Sequence, residues 1–274
     1  MPGSWMKGLR LGAAALALAG LAGSSSAQRS GGQMQVDLAL VLAVDISGSM
    51  DFDEQRVQRD GYADAFRHPE VITAIRDGLI GKIAVTYVGW AGVGIQIVQV
   101  PWTIVEDKAS AYAFADKIAK MPLGTYRGTS ISDSLLFSAA QFDVAPVAAM
   151  KRTIDMSGDG PNNQGAPVLP VRDAVLKKGI NINGLPIMVP GHDASGLRDL
   201  DIYYRDCVIG GPSAFLFTIK SLEEFPTAIR RKLIQEIAYE PPPLPRDAIA
   251  VIPAQAQQGF PPAICAERPL FFQP

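Results

Sequence analysis

A near-continuous apolar run, Val36 to Val44, ends in Asp45-Ile46-Ser47-Gly48-Ser49-Met50. A run this apolar reads as a central parallel strand, covered by helices on both faces. Where such a strand ends in Asp-x-Ser-x-Ser, a carboxylate and two hydroxyls come together as the backbone turns out of the sheet. These are hard oxygen donors with no sulfur or imidazole among them, the set that suits Mg²⁺, Mn²⁺ or Ca²⁺, with Zn²⁺ expected to bind poorly unless in excess. Gly48 lets the loop fold tightly enough for both hydroxyls to face one point.

The rest of the chain alternates strands with helices. Asp53 to Arg67 has Val57, Tyr62, Ala63 and Phe66 at helical spacing, His68-Pro69 interrupts it, and Val71 to Asp77 continues as a second helical piece. Lys82 to Gly89 and Gly94 to Val100 are β-branched runs around Trp90-Ala91-Gly92, which reads as a hairpin. Lys108 to Lys120 is helical, with Ala109, Tyr112, Ala113 and Ile118 expected inward. Gly128-Thr129-Ser130 opens a helix running to Phe142. Lys151 to Ser157 is a strand ending in Gly158-Asp159-Gly160-Pro161-Asn162-Asn163. Helix Val168 to Lys178, strand Ile180 to Ile187, a weaker helix Ser195 to Arg205 and strand Ala214 to Ile219 follow. Ser221 and Glu224 have the spacing of a capping box at the start of a final amphipathic helix ending at Tyr239. The fold class expected is α/β: a doubly wound, mainly parallel sheet with one antiparallel edge strand and helices on both faces. Ligands of such folds bind at the carboxyl ends of the strands, where the turns at Asp45, Thr129 and Asp159 converge.

Residues 1–27 read as a cleavable signal peptide. Lys7 and Arg10 precede the Ala/Leu-rich stretch Leu11 to Ala22, and Ser25-Ser26-Ala27 offers a cleavage site before Gln28. The apolar stretch is shorter than the roughly 20 residues a membrane span needs. Residues 28–35 read as a linker, 36–239 as the α/β domain and 240–274 as a Pro-rich tail, so the expected location is periplasmic or secreted. Cleavage removes two of the 25 Lys and Arg and none of the 27 Asp and Glu, moving the formal net charge from −2 to −4. That balance, without a basic run, argues against nucleic acid and anionic membranes as partners. Cys207 and Cys265 are the only cysteines. An isolated pair in an oxidising compartment is expected to form one disulfide, tethering the tail. His68 and His192 lie in polar sequence without ligand spacing and read as solvated surface residues.

Asp45-x-Ser47-x-Ser49, then Thr129 in Gly-Thr-Ser, then Asp159 after a strand, resembles the von Willebrand factor type A domain over about Val36 to Tyr239. Within that fold the chain is similar to an uncharacterised family of exported bacterial proteins. The resemblance implies that Asp45, Ser47, Ser49, Thr129 and Asp159 form a metal-ion-dependent adhesion site. Mg²⁺ is the expected ion, with Mn²⁺ and Ca²⁺ as alternates. A protein partner would complete the metal shell with an Asp or Glu carboxylate. Binding, not catalysis, is the function implied. Gly158-Asp159-Gly160 departs from the family's Thr-Asp-Gly by losing one hydroxyl near the site.

The rival reading is a Mg²⁺-dependent phosphatase of haloacid-dehalogenase type, with Asp45 as nucleophile and Gly158 to Asn162 closing the metal site. Two residues count against it. Ser47 stands where the general acid belongs and cannot protonate a leaving group at neutral pH. Asn163 stands where a second late carboxylate is expected. Taken singly, Asp45 and Asp159 read better as turn or helix-capping residues, so the conjunction of three ordered motifs carries the site. Asp51 and Asp53 read as a solvated helix-starting cluster, and Trp90, Trp102, Tyr203 and Tyr204 as packing residues.

Overall fold

The computed structural model describes residues 33–190, 199–238 and 265. The expected signal peptide, most of the linker, His192 and the tail apart from Cys265 lie outside the described residues. Along the chain the elements are β1 (Met34–Asp45), α1 (Phe52–Arg67), α2 (Pro69–Arg76), β2 (Ile83–Trp90), β3 (Gln96–Val105), α3 (Lys108–Ala119) and α4 (Ile131–Gln141). They continue as β4 (Val147–Gly158), α5 (Val168–Lys177), β5 (Asn181–Pro186), α6 (Leu200–Tyr203) and α7 (Phe225–Ile237).

The sheet order is β3-β2-β1-β4-β5, with β3 antiparallel to β2 and the other neighbours parallel. Because β1 lies in the middle, its alternate side chains enter two cores. Leu38, Leu40, Leu42 and Val44 pack with Tyr62 and Phe66 of α1, Phe114 of α3 and Leu233 of α7. Val41 and Ala43 face the opposite way, toward Leu135 of α4, Val175 of α5 and Tyr204. Each fully buried Val or Leu is worth roughly 1.5–3 kcal/mol relative to exposure, which explains why β1 is apolar on both faces. From β1 the chain passes first to β2 on one side and later to β4 on the other. The crevice between the carboxyl ends of β1 and β4 is therefore the topological switch point. Val44 is in register with Ser157 there, which sets Asp45 beside Gly158.

Four expectations are corrected by the packing. In α3 the buried stripe is Ala111, Phe114, Ala115 and Ile118, while Ala109, Tyr112 and Ala113 face solvent. The rotation buries Phe114 edge-on against Phe66, ring centroids 4.8 Å apart, and leaves the Tyr112 hydroxyl wet. Ala214 to Ile219 is not a strand, although it runs parallel beside β5. Gly184 N–H donates to Phe215 O, Phe217 N–H to Gly184 O and Ile219 N–H to Pro186 O. Pro186 has no N–H for the intervening rung, and the ladder breaks into isolated bridges.

The box at Ser221 and Glu224 does not form. Glu224 Oε2 accepts from Lys220 N–H instead, a 3₁₀ turn covers Leu222–Glu224, and α7 begins at Phe225. A capping box forms instead at α1, where Asp51 accepts from Asp53 and Glu54 N–H and Glu54 Oε2 accepts from Asp51 N–H. Of the helix expected over Ser195 to Arg205, the described residues keep the single turn of α6, which widens into a π turn over Tyr204–Val208. Cys207 in that turn is joined to Cys265 by a disulfide, with Cα atoms 5.5 Å apart. Among the described residues, no helix is long and apolar enough to cross a membrane.

Candidate metal centre

At the end of β1 the backbone reverses through Asp45 itself. Asp45 Oδ1 accepts the Ser47 N–H at 2.7 Å, an Asx turn that aims the Ser47 side chain back over the strand end. The Ser47 and Ser49 hydroxyls are 2.9 Å apart, and Ser49 Oγ donates to Asp159 Oδ1 at 2.8 Å. Four oxygen-bearing side chains from two loops are thus linked in one chain. Asp45 and Ser47 are sealed from solvent, Asp159 is nearly so, and Ser49 is half-buried.

Thr129 reaches the same rim through its backbone. Its N–H donates to Asn163 Oδ1, and its carbonyl accepts from Asn163 and Gln164 N–H, which latches it to the loop after Asp159. Three residues earlier, Tyr126 exchanges backbone bonds with the Asp45 loop: Gly48 N–H to Tyr126 O and Tyr126 N–H to Ile46 O. Between these anchors Gly128 has φ +84°, and a side chain on it would collide with the Gln164 amide, so the turn needs glycine twice over. Ser130 then caps α4 by accepting the Asp133 N–H. Asn163, which sequence reasoning counted only against the phosphatase, is what holds Thr129 in place. No local pattern marks that contact, since it spans two loops.

The electrostatics of Asp45 are those of a charge in need of a counter-charge. Burial, and then the neighbouring Asp159 carboxylate, push its carboxyl well above the usual range, against the lowering effect of the Ser47 hydrogen bonds. Asp45 Oδ2 is buried and has no hydrogen-bond partner among the described residues, although the Asp159 backbone N–H also helps to hold the Asp45 carboxyl down. Among those residues no three His, Cys, Asp or Glu side chains cluster as a metal site. A cation at this rim would therefore rest on two carboxylates and neutral hydroxyl oxygens. The donor set fits a hard dication, and the buried oxygen of Asp45 gives it a charged anchor.

Residues 35–241 match the family described as "Protein of unknown function (DUF1194)". No curated protein is detectably similar in sequence. Among solved structures, the pilus adhesin SpaC of Lactobacillus rhamnosus GG is 13% identical with a TM-score of 0.55, over 75% of this chain and 31% of its own. Proximal thread matrix protein 1 of the mussel byssus, solved with a zinc-occupied MIDAS motif, is 16% identical with a TM-score of 0.50, over 75% of this chain and 48% of its own. A von Willebrand factor type A protein from Catenulispora acidiphila is 14% identical with a TM-score of 0.49, over 74% and 43%. The chain spans under half the length of each of these, and likeness at this identity is a likeness of fold. The chain belongs to the DUF1194 family, and its fold is similar to that of the SpaC pilus adhesin and of the mussel thread protein with its MIDAS motif.

Proposed function

We propose that this chain is an exported binding protein that holds a divalent cation through Asp45, Ser47, Ser49, Thr129 and Asp159. A protein partner would complete the metal shell with an Asp or Glu carboxylate. The observation that carries the reading is the linked set Asp45–Ser47–Ser49–Asp159, with Asp45 Oδ2 buried beside a second carboxylate and lacking a hydrogen bond. A bound dication would supply the charge that burial makes scarce, and Mg²⁺ is the ion such an oxygen set favours. The zinc-occupied motif in the mussel protein supports a divalent cation on this fold in general. When bound, the cation would act as an electrophile toward an incoming carboxylate. The chain's own residues orient it: the Asx turn fixes Ser47, and the Ser49–Asp159 bond sets the spacing between the two loops.

No observation favours the phosphatase. Ser47 is hydrogen-bonded to Ser49 where a general acid would be needed. The export reading rests on residues 1–27 of the sequence, and its test is N-terminal sequencing of the protein recovered from outside the cytoplasm.

Isothermal titration with Mg²⁺ and Mn²⁺ tests the site. One ion should bind the wild type, and binding should be lost in both Asp45→Ala and Asp159→Ala. Undiminished binding by those variants would put the ion elsewhere.

A further inference from the structure

Gly158 directly precedes Asp159, and its surroundings are crowded with polar atoms. The point where a Cβ on Gly158 would stand lies 2.7 Å from the Tyr204 hydroxyl, 2.8 Å from Asp45 Oδ2 and 3.0 Å from Trp90 Cζ2. No side chain fits there. The space is taken by a tyrosine hydroxyl arriving from a different part of the chain, with the outer oxygen of Asp45 close by.

Tyr204 is fully buried, and its hydroxyl has no hydrogen-bond partner among the described residues. Trp90 Nε1 is in the same condition. An unused donor, the Tyr204 hydroxyl, and an unused carboxylate oxygen thus lie around one point, in a protein interior where buried polar groups are nearly always paired. The ring reaches the point because Gly184 also lacks a side chain: a Cβ there would lie 3.2 Å from Tyr204 Cδ1. Its backbone starts the π turn that carries Cys207, whose disulfide ties the turn to Cys265. Next to it, the Tyr203 hydroxyl accepts the Asn162 N–H, joining the same segment to the loop after Asp159.

We propose that Tyr204 is a positioning residue of the metal centre: its hydroxyl donates to Asp45 Oδ2 from the buried side when a dication is bound, in the space that the absence of a side chain on Gly158 leaves open. The inference rests on the metal reading above and adds to it a residue outside the five-residue set. A carboxylate that faces a cation on one side is free to rotate unless its other side is held, and such supporting bonds tune affinity strongly.

The test is Mn²⁺ calorimetry on the full chain, with thermal unfolding in EDTA run in parallel, for wild type, Tyr204→Phe and Gly158→Ala. Tyr204→Phe should weaken Mn²⁺ binding about 10-fold, the lower end of supporting-residue effects. Its unfolding midpoint in EDTA should be unchanged or higher, because an unpaired buried hydroxyl has been removed. Gly158→Ala should weaken binding while keeping the hydroxyl, by pushing it off Asp45. Mg²⁺ should also produce a tyrosine difference band in the near-ultraviolet spectrum of the wild type that Tyr204→Phe lacks. Equal Mn²⁺ affinity in wild type and Tyr204→Phe would overturn the assignment and leave the metal site standing. So would a Tyr204→Phe variant whose midpoint in EDTA falls along with its affinity, which is the signature of a packing role. A wild type that takes up no Mn²⁺ would overturn the metal reading and this inference together.

Discussion

Asp155 and Glu236 lie in the core between β4 and α7, and Asp45 and Asp159 lie at the carboxyl edge of β1 and β4. The first pair has a lysine set between its members. Lys232, itself sealed from solvent, contacts Asp155 Oδ1 at 2.5 Å and also pairs with Glu236 one turn along its helix. Asn183 donates to Glu236 Oε1, and the Tyr62 hydroxyl leans on Asp155 Oδ2. The second pair is arranged around serine hydroxyls. Where the fold needs a permanent tie between a strand and a helix, the counter-charge is covalently part of the chain. At the rim, Ser47 and Ser49 hydroxyls link the two loops that carry Asp45 and Asp159, which fits the exchangeable cation proposed for that site.

The comparison breaks most readily at Lys232. Lys232→Met leaves two buried carboxylates without their cation and should cost about 3–5 kcal/mol in urea unfolding. A loss below about 1 kcal/mol would mean that water or a rearranged Lys151 serves Glu236 instead. Asp45→Asn should do the opposite. In EDTA it removes a buried charge and should hold or raise stability, by on the order of 1–3 kcal/mol. Adding Mg²⁺ to 100 times its dissociation constant should then stabilise the wild type by about 2.7 kcal/mol and leave Asp45→Asn unmoved. If Asp45→Asn is strongly destabilised in EDTA, the rim is a structural network like the core and the contrast fails.

A third effect, comparable in size to the first, is in pH. Burial, and then Glu236, hold Asp155 up at about 7 despite Lys232. Its unfolded value is near 3.9, so between about pH 4 and pH 7 the folded state binds more protons than the unfolded one. The stability this group contributes is fully present below about pH 4 and is lost as pH rises to about 7. Wild type should therefore lose stability relative to Asp155→Asn across that window and run parallel to it above. Curves parallel throughout would show that Asp155 stays ionised beside Lys232.

The Asp45-Ser47-Ser49 cluster was legible because its members lie within five residues of one another at the end of a strand whose burial is itself written in the apolar run. Thr129 and Asp159 were singled out from their places after a glycine and after a strand; the fold brings Asp159 onto Ser49 and ties Thr129 to Asn163 through its backbone. What misled was finer. The inward face of α3 was assigned from Ala109 and Tyr112, but a helix this mixed can rotate to bury its phenylalanine. The last strand was assigned from Ala214 to Ile219, but the missing N–H belongs to Pro186 on its neighbour. Tyr204 read as packing and is buried in the core cluster on that face; what no local pattern showed is that its hydroxyl ends beside Asp45 and Gly158.

By itself, then, the sequence determined the kind of oxygen atoms available, the strand that delivers them and the alternation that forces helices onto both faces of the sheet. These follow from backbone period and from chemistry within a few residues. The tertiary structure alone decided that Ser49 meets Asp159 across 110 residues, that Lys232 falls between Asp155 and Glu236, and that Tyr204 fills the space left by Gly158. Each of those contacts depends on register and helix rotation, which are set by how whole faces pack. No local pattern encodes them, because the same residues would be just as compatible with their own secondary structure in another register.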